Sequence, residues 1–233
     1  MKLSVIIPAL NEADSIQRAV ETSLALSPHE VIVADGGSTD DTVAIARTLH
    51  CSVIECPRGR ARQQNAGASA SKGDVLLFLH ADSWLAPEAR QQIERTLASP
   101  AIPGGAFYHR IDATGLLFRL VEAGDALRVC ITRIAYGDQG IFLRREVFEA
   151  LGGFPDVRLM EDVRLMKSLR DYGRLTLVPG PLHVSARRWQ KHGLIRQTLR
   201  NWFLLTAEHL GVHPDRLADL YVPHANPVTP PRK

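Results

Sequence analysis

The stretch Val75-Leu76-Leu77-Phe78-Leu79-His80-Ala81-Asp82 decides the fold. Five apolar residues run without a break and stop at a histidine and an aspartate. Three more such runs precede it: Leu3 to Ile7, Val31 to Ala34 and Ser52 to Glu55. Helical patterns lie between them. Ile16, Ala19, Val20 and Leu24 recur at 3.6 spacing on one face. Ser38 followed by Asp41 resembles a capping box for a second helix. A third runs from about Ala61 to Ala70, and Pro87 suits the first turn of a fourth. Apolar strands alternating with helices imply an α/β fold with a mostly parallel central sheet covered on both faces. Ligands in such sheets bind beyond the carboxyl ends of the strands. Asp35 and Asp82 both stand there.

The second half is less regular. Ile102 to Ile111 reads as a strand or hairpin arm and Leu116 to Val129 as a helix. Gly140 to Leu143 is a short strand. Glu161 to Tyr172 is a helix ended by Gly173, and Leu175 to Val178 is a strand closed by Pro179-Gly180. A helix from Leu194 to Leu210 carries Ile195, Leu199, Trp202 and Phe203 with Arg196 and Arg200 between. That helix packs on its own domain, lies on a membrane surface or forms a homodimer contact. No linker divides the chain. A single domain over 1–222 is expected, with a nucleotide-binding half (1–100) and an acceptor and catalytic half (101–222). The proline-rich 223–233 reads as a flexible tail.

Composition bounds the function. The chain has 233 residues, 45% hydrophobic and 23% charged, enough to bury a core without disulfide or structural metal. Its 28 basic and 25 acidic residues leave +3, too balanced for nucleic-acid binding. The three cysteines, Cys51, Cys56 and Cys130, form no zinc set and fit reduced thiols in a cytoplasmic protein. The opening run is too short for a signal peptide and no stretch approaches the roughly 18 apolar residues that span a bilayer. Contact with the inner face of the membrane stays open.

Four stations then carry chemistry: Pro8-Ala9-Leu10-Asn11-Glu12, Asp35-Gly36-Gly37-Ser38, His80-Ala81-Asp82 and Glu161-Asp162. Asp82 suits a hard cation on a diphosphate and Glu161-Asp162 suits a general base. Their order resembles that of a family 2 glycosyltransferase with the GT-A (Rossmann-like) nucleotide-diphospho-sugar transferase fold, over about Lys2 to Trp189. Gly59 to Ala68, Gly137-Asp138-Gln139 and Ser185-Ala186-Arg187-Arg188-Trp189 further resemble a short bacterial subgroup associated with arsenosugar biosynthesis.

The resemblance implies an inverting, metal-dependent, hexosyltransferase-type enzyme. Its partners would be a nucleotide-sugar donor, with uridine the expected base, and a small-molecule or lipid-linked acceptor. Pro8, Leu10, Asn11 and Glu12 would hold base and ribose, although Asn11 also fits a helix cap. Asp35 would accept from the nucleoside. Gly36 departs from the family pattern, which more often has two successive aspartates. Arg60, Arg62 and Asn65 belong to a segment whose arginines match phosphate oxygens. Asp82 would bind Mn²⁺ or Mg²⁺, with His80, in place of the family's first aspartate, and Ala81 beside the nucleotide. Asp162 would be the base and Glu161 its support, aimed by the turn Gly152-Gly153-Phe154-Pro155. Asp138 and Gln139 would meet sugar hydroxyls. Arg187 and Arg188 would hold the leaving diphosphate and Trp189 would stack on a sugar ring. A nucleotidyltransferase is disfavoured, because no glycine-rich loop follows the first strand. A non-catalytic sugar-nucleotide-binding protein is disfavoured by retention of both Asp82 and Asp162.

Overall fold

A computed structural model of the chain describes residues 1–187, 189 and 193–220. Strand β1 (Leu3–Ala9) pairs in parallel with β2 (Glu30–Asp35) and with β4 (Val75–Phe78), and β2 pairs in parallel with β3 (Ser52–Glu55). Helices α1 (Ile16–Ala25), α2 (Thr42–Arg47) and α3 (Arg60–Ala70) connect them. Alternation along β1 sends Val5 and Ile7 to one face of the sheet and Ile6 to the other, each into a separate core. That is why Val5, Ile6 and Ile7 are apolar in succession rather than at every second position.

Beyond β4 come β5 (Ser83–Leu85), α4 (Ala89–Leu97), β6 (Gly104–Asp112), α5 (Leu116–Thr132), β7 (Ile141–Arg144), α6 (Arg145–Ala150), α7 (Glu161–Leu169) and β8 (Thr176–Ser185). All strands join one sheet in the order β3-β2-β1-β4-β7-β6-β8-β5. The inserted β7 runs antiparallel to β4 and β6, while β6 and β8 are parallel. On one face Phe78 meets Phe148 and Phe154 at ring separations of 5.1 and 4.8 Å, which fixes the approach to α7.

Three expectations change. The strand thought to stop at Val178 continues through Pro179-Gly180-Pro181 to Ser185. Its register against β6 shifts between Phe107 and His109, so a bulge absorbs the turn residues. Gln92 of α4 takes up the backbone there: its Oε1 accepts from Gly180 N at 2.9 Å and its Nε2 donates to Gly180 O at 3.3 Å. Ser38 does not cap α2, which starts four residues later behind Asp41. Its hydroxyl instead donates to Asp35. Pro87 lies before α4 rather than in its first turn.

The last helices, α8 (Leu194–His209) and α9 (Pro214–Leu220), attach through a small core of Met160, Val163, Leu204 and Leu217. Thus α8 packs on its own domain, while Trp202 and Phe203 stay exposed. Among the described residues no helix is long and apolar enough to cross a membrane. The expected tail at 223–233 lies outside the described residues.

Gly67 sets the distance between α3 and β1, because a Cβ there would come within 2.5 Å of Ile6 Cγ2 in the buried core. Gly67→Ala should therefore destabilise the fold by about 1–3 kcal/mol, read from urea unfolding. Unchanged stability would show that α3 can move off the strand at no cost.

Candidate active site

Strands β1 and β2 end together, and β4 ends three residues short of them, with Phe78 paired to Ile6. Ala9 pairs with Asp35, and Leu79 N donates to Ile6 O at 3.0 Å just past the last β4 pair. A cleft of about 470 Å³ opens there. Pro8, Ala9, Leu10 and Glu12 line one side, His80, Ala81 and Asp82 another, and Arg58, Gly59, Arg60 and Gln63 the start of α3. Glu161 and Arg187 reach it from the second half. The structure thus brings together residues from three of the four stations, all but the one at Asp35.

Asp35 has another task. Its Oδ2 accepts from Gly37 N and Ser38 N, both at 2.9 Å, and its Oδ1 from Ser38 Oγ at 2.5 Å. The carboxylate holds its own turn and lies outside the cleft lining. The Ser38 hydroxyl in turn accepts from Asn11 N at 2.9 Å. Asn11 sits at φ 54°, and its Oδ1 accepts from Thr39 N at 2.8 Å. It therefore caps no turn of α1; it laces the β1–α1 loop to the β2–α2 loop. Thr42 Oγ1, accepting from Glu12 N at 2.7 Å, adds a second stitch.

Two α3 residues are likewise corrected. Arg62 makes a two-pronged pair with Asp156 at 2.8 and 2.9 Å on the exposed surface, outside the cleft lining. Asn65 spends its amide on the Gly152–Pro155 turn: Oδ1 accepts from Phe154 N at 2.9 Å and Nδ2 donates to Phe154 O at 2.8 Å. It helps aim α7 and does not line the cleft. Gly152 and Gly153 adopt φ 78° and 76° there, which side chains resist. Arg60 does line the cleft, and its Nη1 lies 3.5 Å from Glu161 Oε1.

Glu161 and Asp162 open α7 and are both buried. Burial pushes the Glu161 carboxyl up to about 7, against the pull of Arg60. Asp162 is also raised, by burial first, although its two oxygens accept from Gly137 N at 2.5 Å and from Val163 N at 2.7 Å. Each oxygen keeps acceptor capacity beyond that one bond. Gly137 allows the approach: a Cβ there would stand 2.8 Å from His80 Nε2 and 3.2 Å from Asp162 Oδ2. Asp162 therefore lies directly behind the His80 wall of the cleft.

Asp138 and Gln139 are corrected too. They form a 3-10 turn, and Gln139 Oε1 accepts from Tyr136 N at 3.0 Å and from Arg128 Nη2 at 3.4 Å. Neither lines the cleft, because the buried turn needs Gln139 for its own backbone. Trp189 is half-buried against the main core instead of standing free at a mouth. Arg188 lies outside the described residues.

Asp82 is buried, and its Oδ2 is 3.3 Å from Arg187 Nη2, which also meets Glu12 Oε2 at 2.5 Å. Burial works against the Arg187 charge, but Asp82 and Glu12 outweigh it and raise its pKa. One guanidinium thus bridges two carboxylates at this wall. Among the described residues no three His, Cys, Asp or Glu form a metal cage. A single buried carboxylate at an open cleft instead fits a hard cation that takes its other ligands from phosphate and water.

Sequence reasoning missed Gln63, Arg158, Leu159 and Ala218 in the lining. The first was hidden among arginines of the same segment. The last belongs to α9, whose Pro214 start and Asp215 beside it were a usable signal.

Residues 4–152 match Glycosyl transferase family 2, and the chain belongs to that family. Relatives include an uncharacterized glycosyltransferase of Rickettsia felis, 41% identical over 99 residues, covering 42% of this chain and 35% of that protein. Glycosyltransferase AglE of Haloferax volcanii is 28% identical over 198 residues, covering 73% of this chain and 62% of that one. The chain thus spans about a third of the rickettsial protein's length. Among solved structures, glucosyl-3-phosphoglycerate synthase of Mycobacterium tuberculosis, bound to Mn²⁺, UDP and glucosyl-3-phosphoglycerate, superposes at TM-score 0.58 with 22% identity, over 78% of this chain and 70% of that one. TarS of S. aureus with UDP-GlcNAc gives 0.59 with 17% identity, over 79% and 58%. These likenesses show the GT-A fold. Glu161 and Arg187, which line the cleft, and Asp162 beside Glu161 lie beyond the family match, so the geometry alone brings them here.

The raised Glu161 carboxyl has a consequence for stability. The folded state holds its proton from about pH 4.5, where an ordinary glutamate loses it, up to about 7. The contribution is full below that window and fades as pH rises through 7. Melting temperature measured from pH 5 to 8 should therefore fall more for the wild type than for Glu161→Gln. Parallel curves would mean that Glu161 ionises normally.

Proposed function

We propose that this chain transfers a sugar, with inversion, from a nucleotide-diphosphate donor to an acceptor hydroxyl. Uridine is the proposed base, and Mn²⁺ or Mg²⁺ the proposed ion. One observation carries the reading. The buried carboxylates Asp82 and Glu161 and the guanidiniums of Arg60 and Arg187 line one cleft at the strand ends, with Asp162 next to Glu161, although they come from both halves of the chain. The UDP complexes of the two structural neighbours support the choice of base. The subgroup named above rests on resemblance, and it suggests a small-molecule acceptor.

The chemistry follows from the charges. In a single displacement the acceptor oxygen bonds to the anomeric carbon as the bond to the diphosphate breaks. The acceptor proton goes to Asp162, whose raised pKa makes it a stronger base than an exposed aspartate. No second carboxylate is needed as nucleophile, so the configuration inverts. Glu161, tied to Arg60, holds the first turn of α7 in place. Arg60 and Arg187 face the departing diphosphate, and preorganised cations in a cleft stabilise charge as it develops. A divalent ion on Asp82 would add Lewis-acid stabilisation of the same leaving group.

Asp162→Asn tests the base directly. Donor hydrolysis or transfer should slow at least about a hundredfold, while UDP affinity by calorimetry stays near the wild-type value. A near-wild-type rate would remove Asp162 from the reaction.

A further inference from the structure

Much of the cleft lining is charged, but Pro8, Ala9, Leu10 and Gln63 are not, and Gln63 is bonded to the ends of β1 and β2. Gln63 is almost fully buried, 4% exposed, and its amide lies flat against Gly36. A Cβ at position 36 would come within 2.9 to 3.1 Å of Gln63 Cδ, Nε2 and Oε1. The space that a side chain at 36 would fill therefore holds this amide.

The orientation of the amide is fixed. Nε2 donates to Ala9 O at 2.7 Å and to Ala34 O at 2.9 Å, which uses both of its hydrogens. An oxygen in that place would face two carbonyls with nothing to donate, so the assignment has one solution. Among the described residues no group donates to Oε1, and it is not one of the buried orphaned atoms, so solvent reaches it. Gln63 thus presents one neutral acceptor, and no donor, to the cleft.

We propose that Gln63 is a specificity-determining residue that reads the nucleobase, its Oε1 accepting the ring imide N–H of a uracil. The inference rests on the nucleotide-donor reading above and gives it a chemical basis for uridine. Uracil carries a ring N–H that matches a lone acceptor. Cytosine has a bare ring nitrogen at the same position, whose lone pair would face the Oε1 lone pairs. Gln63 also ties the ends of β1 and β2, so the group that reads the base is held by the strands that build the cleft.

Calorimetry with UDP and with its N3-methyl analogue is the test, because the methyl group replaces the N–H in question. The wild type should bind the analogue roughly tenfold more weakly, or worse. Gln63→Met keeps the side chain's length but removes the acceptor, and Gln63→Ala removes both. Whichever of these folds by circular dichroism should bind the two ligands nearly alike. If the wild type binds UDP and the analogue equally, or if a folded variant keeps the full discrimination, the Gln63 assignment falls and the donor reading stands. If the wild type binds no uridine nucleotide at all, with or without Mn²⁺, the donor reading falls and takes this inference with it.

Discussion

The site depends on one contact between the two halves of the chain. Arg60, the first residue of α3, reaches Glu161, the first residue of α7, across the cleft. Burying two adjacent carboxylates is costly, and a nearby guanidinium offsets part of that cost. Arg60 is in place because α3 lies close on β1, which Gly67 permits. Glu161 is in place because the turn before α7 is held by Asn65, another α3 residue. One helix therefore positions the arginine, the turn and the neutral acceptor Gln63. Its sequence, Arg60 to Ala70, is poor in large apolar residues because its work is contact at close range.

Much of this was legible from sequence, for physical reasons. Strands β1, β2 and β4 are buried on both faces, so their apolar runs stand out without alternation. The stations at Pro8 to Glu12, His80 to Asp82 and Glu161-Asp162 follow strand ends or begin a helix, where chain direction fixes position. Other features depend on partners distant in sequence. The continuation of β8 through two prolines needs Gln92, 88 residues away. The roles of Asn65 and Arg62 are set by Phe154 and Asp156, which no local pattern reveals. Asp35 is a different case. Its partners are Gly37 and Ser38, two and three residues on, and an Asx-type turn through them was readable as such.

Charge balance organises the cleft. Arg187 bridges Asp82 and Glu12, so a cation belonging to the chain offsets part of the negative charge on the wall proposed to face a diphosphate. A ligand that brings its own divalent ion would compete with this arginine for Asp82 and offer it phosphate oxygens in exchange. The same guanidinium can thus serve the empty and the loaded cleft. The cost of baring two carboxylates is then met only when anion and cation arrive together. This account predicts strong coupling between metal and nucleotide.

That coupling is the most direct measure of the central claim. UDP should be titrated calorimetrically into the wild type and into Asp82→Asn, each with and without Mn²⁺. The account predicts that Mn²⁺ tightens UDP binding by at least about tenfold in the wild type, the scale of a modest coupling energy, and that Asp82→Asn abolishes the gain. Equal tightening in both proteins, or UDP binding indifferent to Mn²⁺ in the wild type, would contradict it.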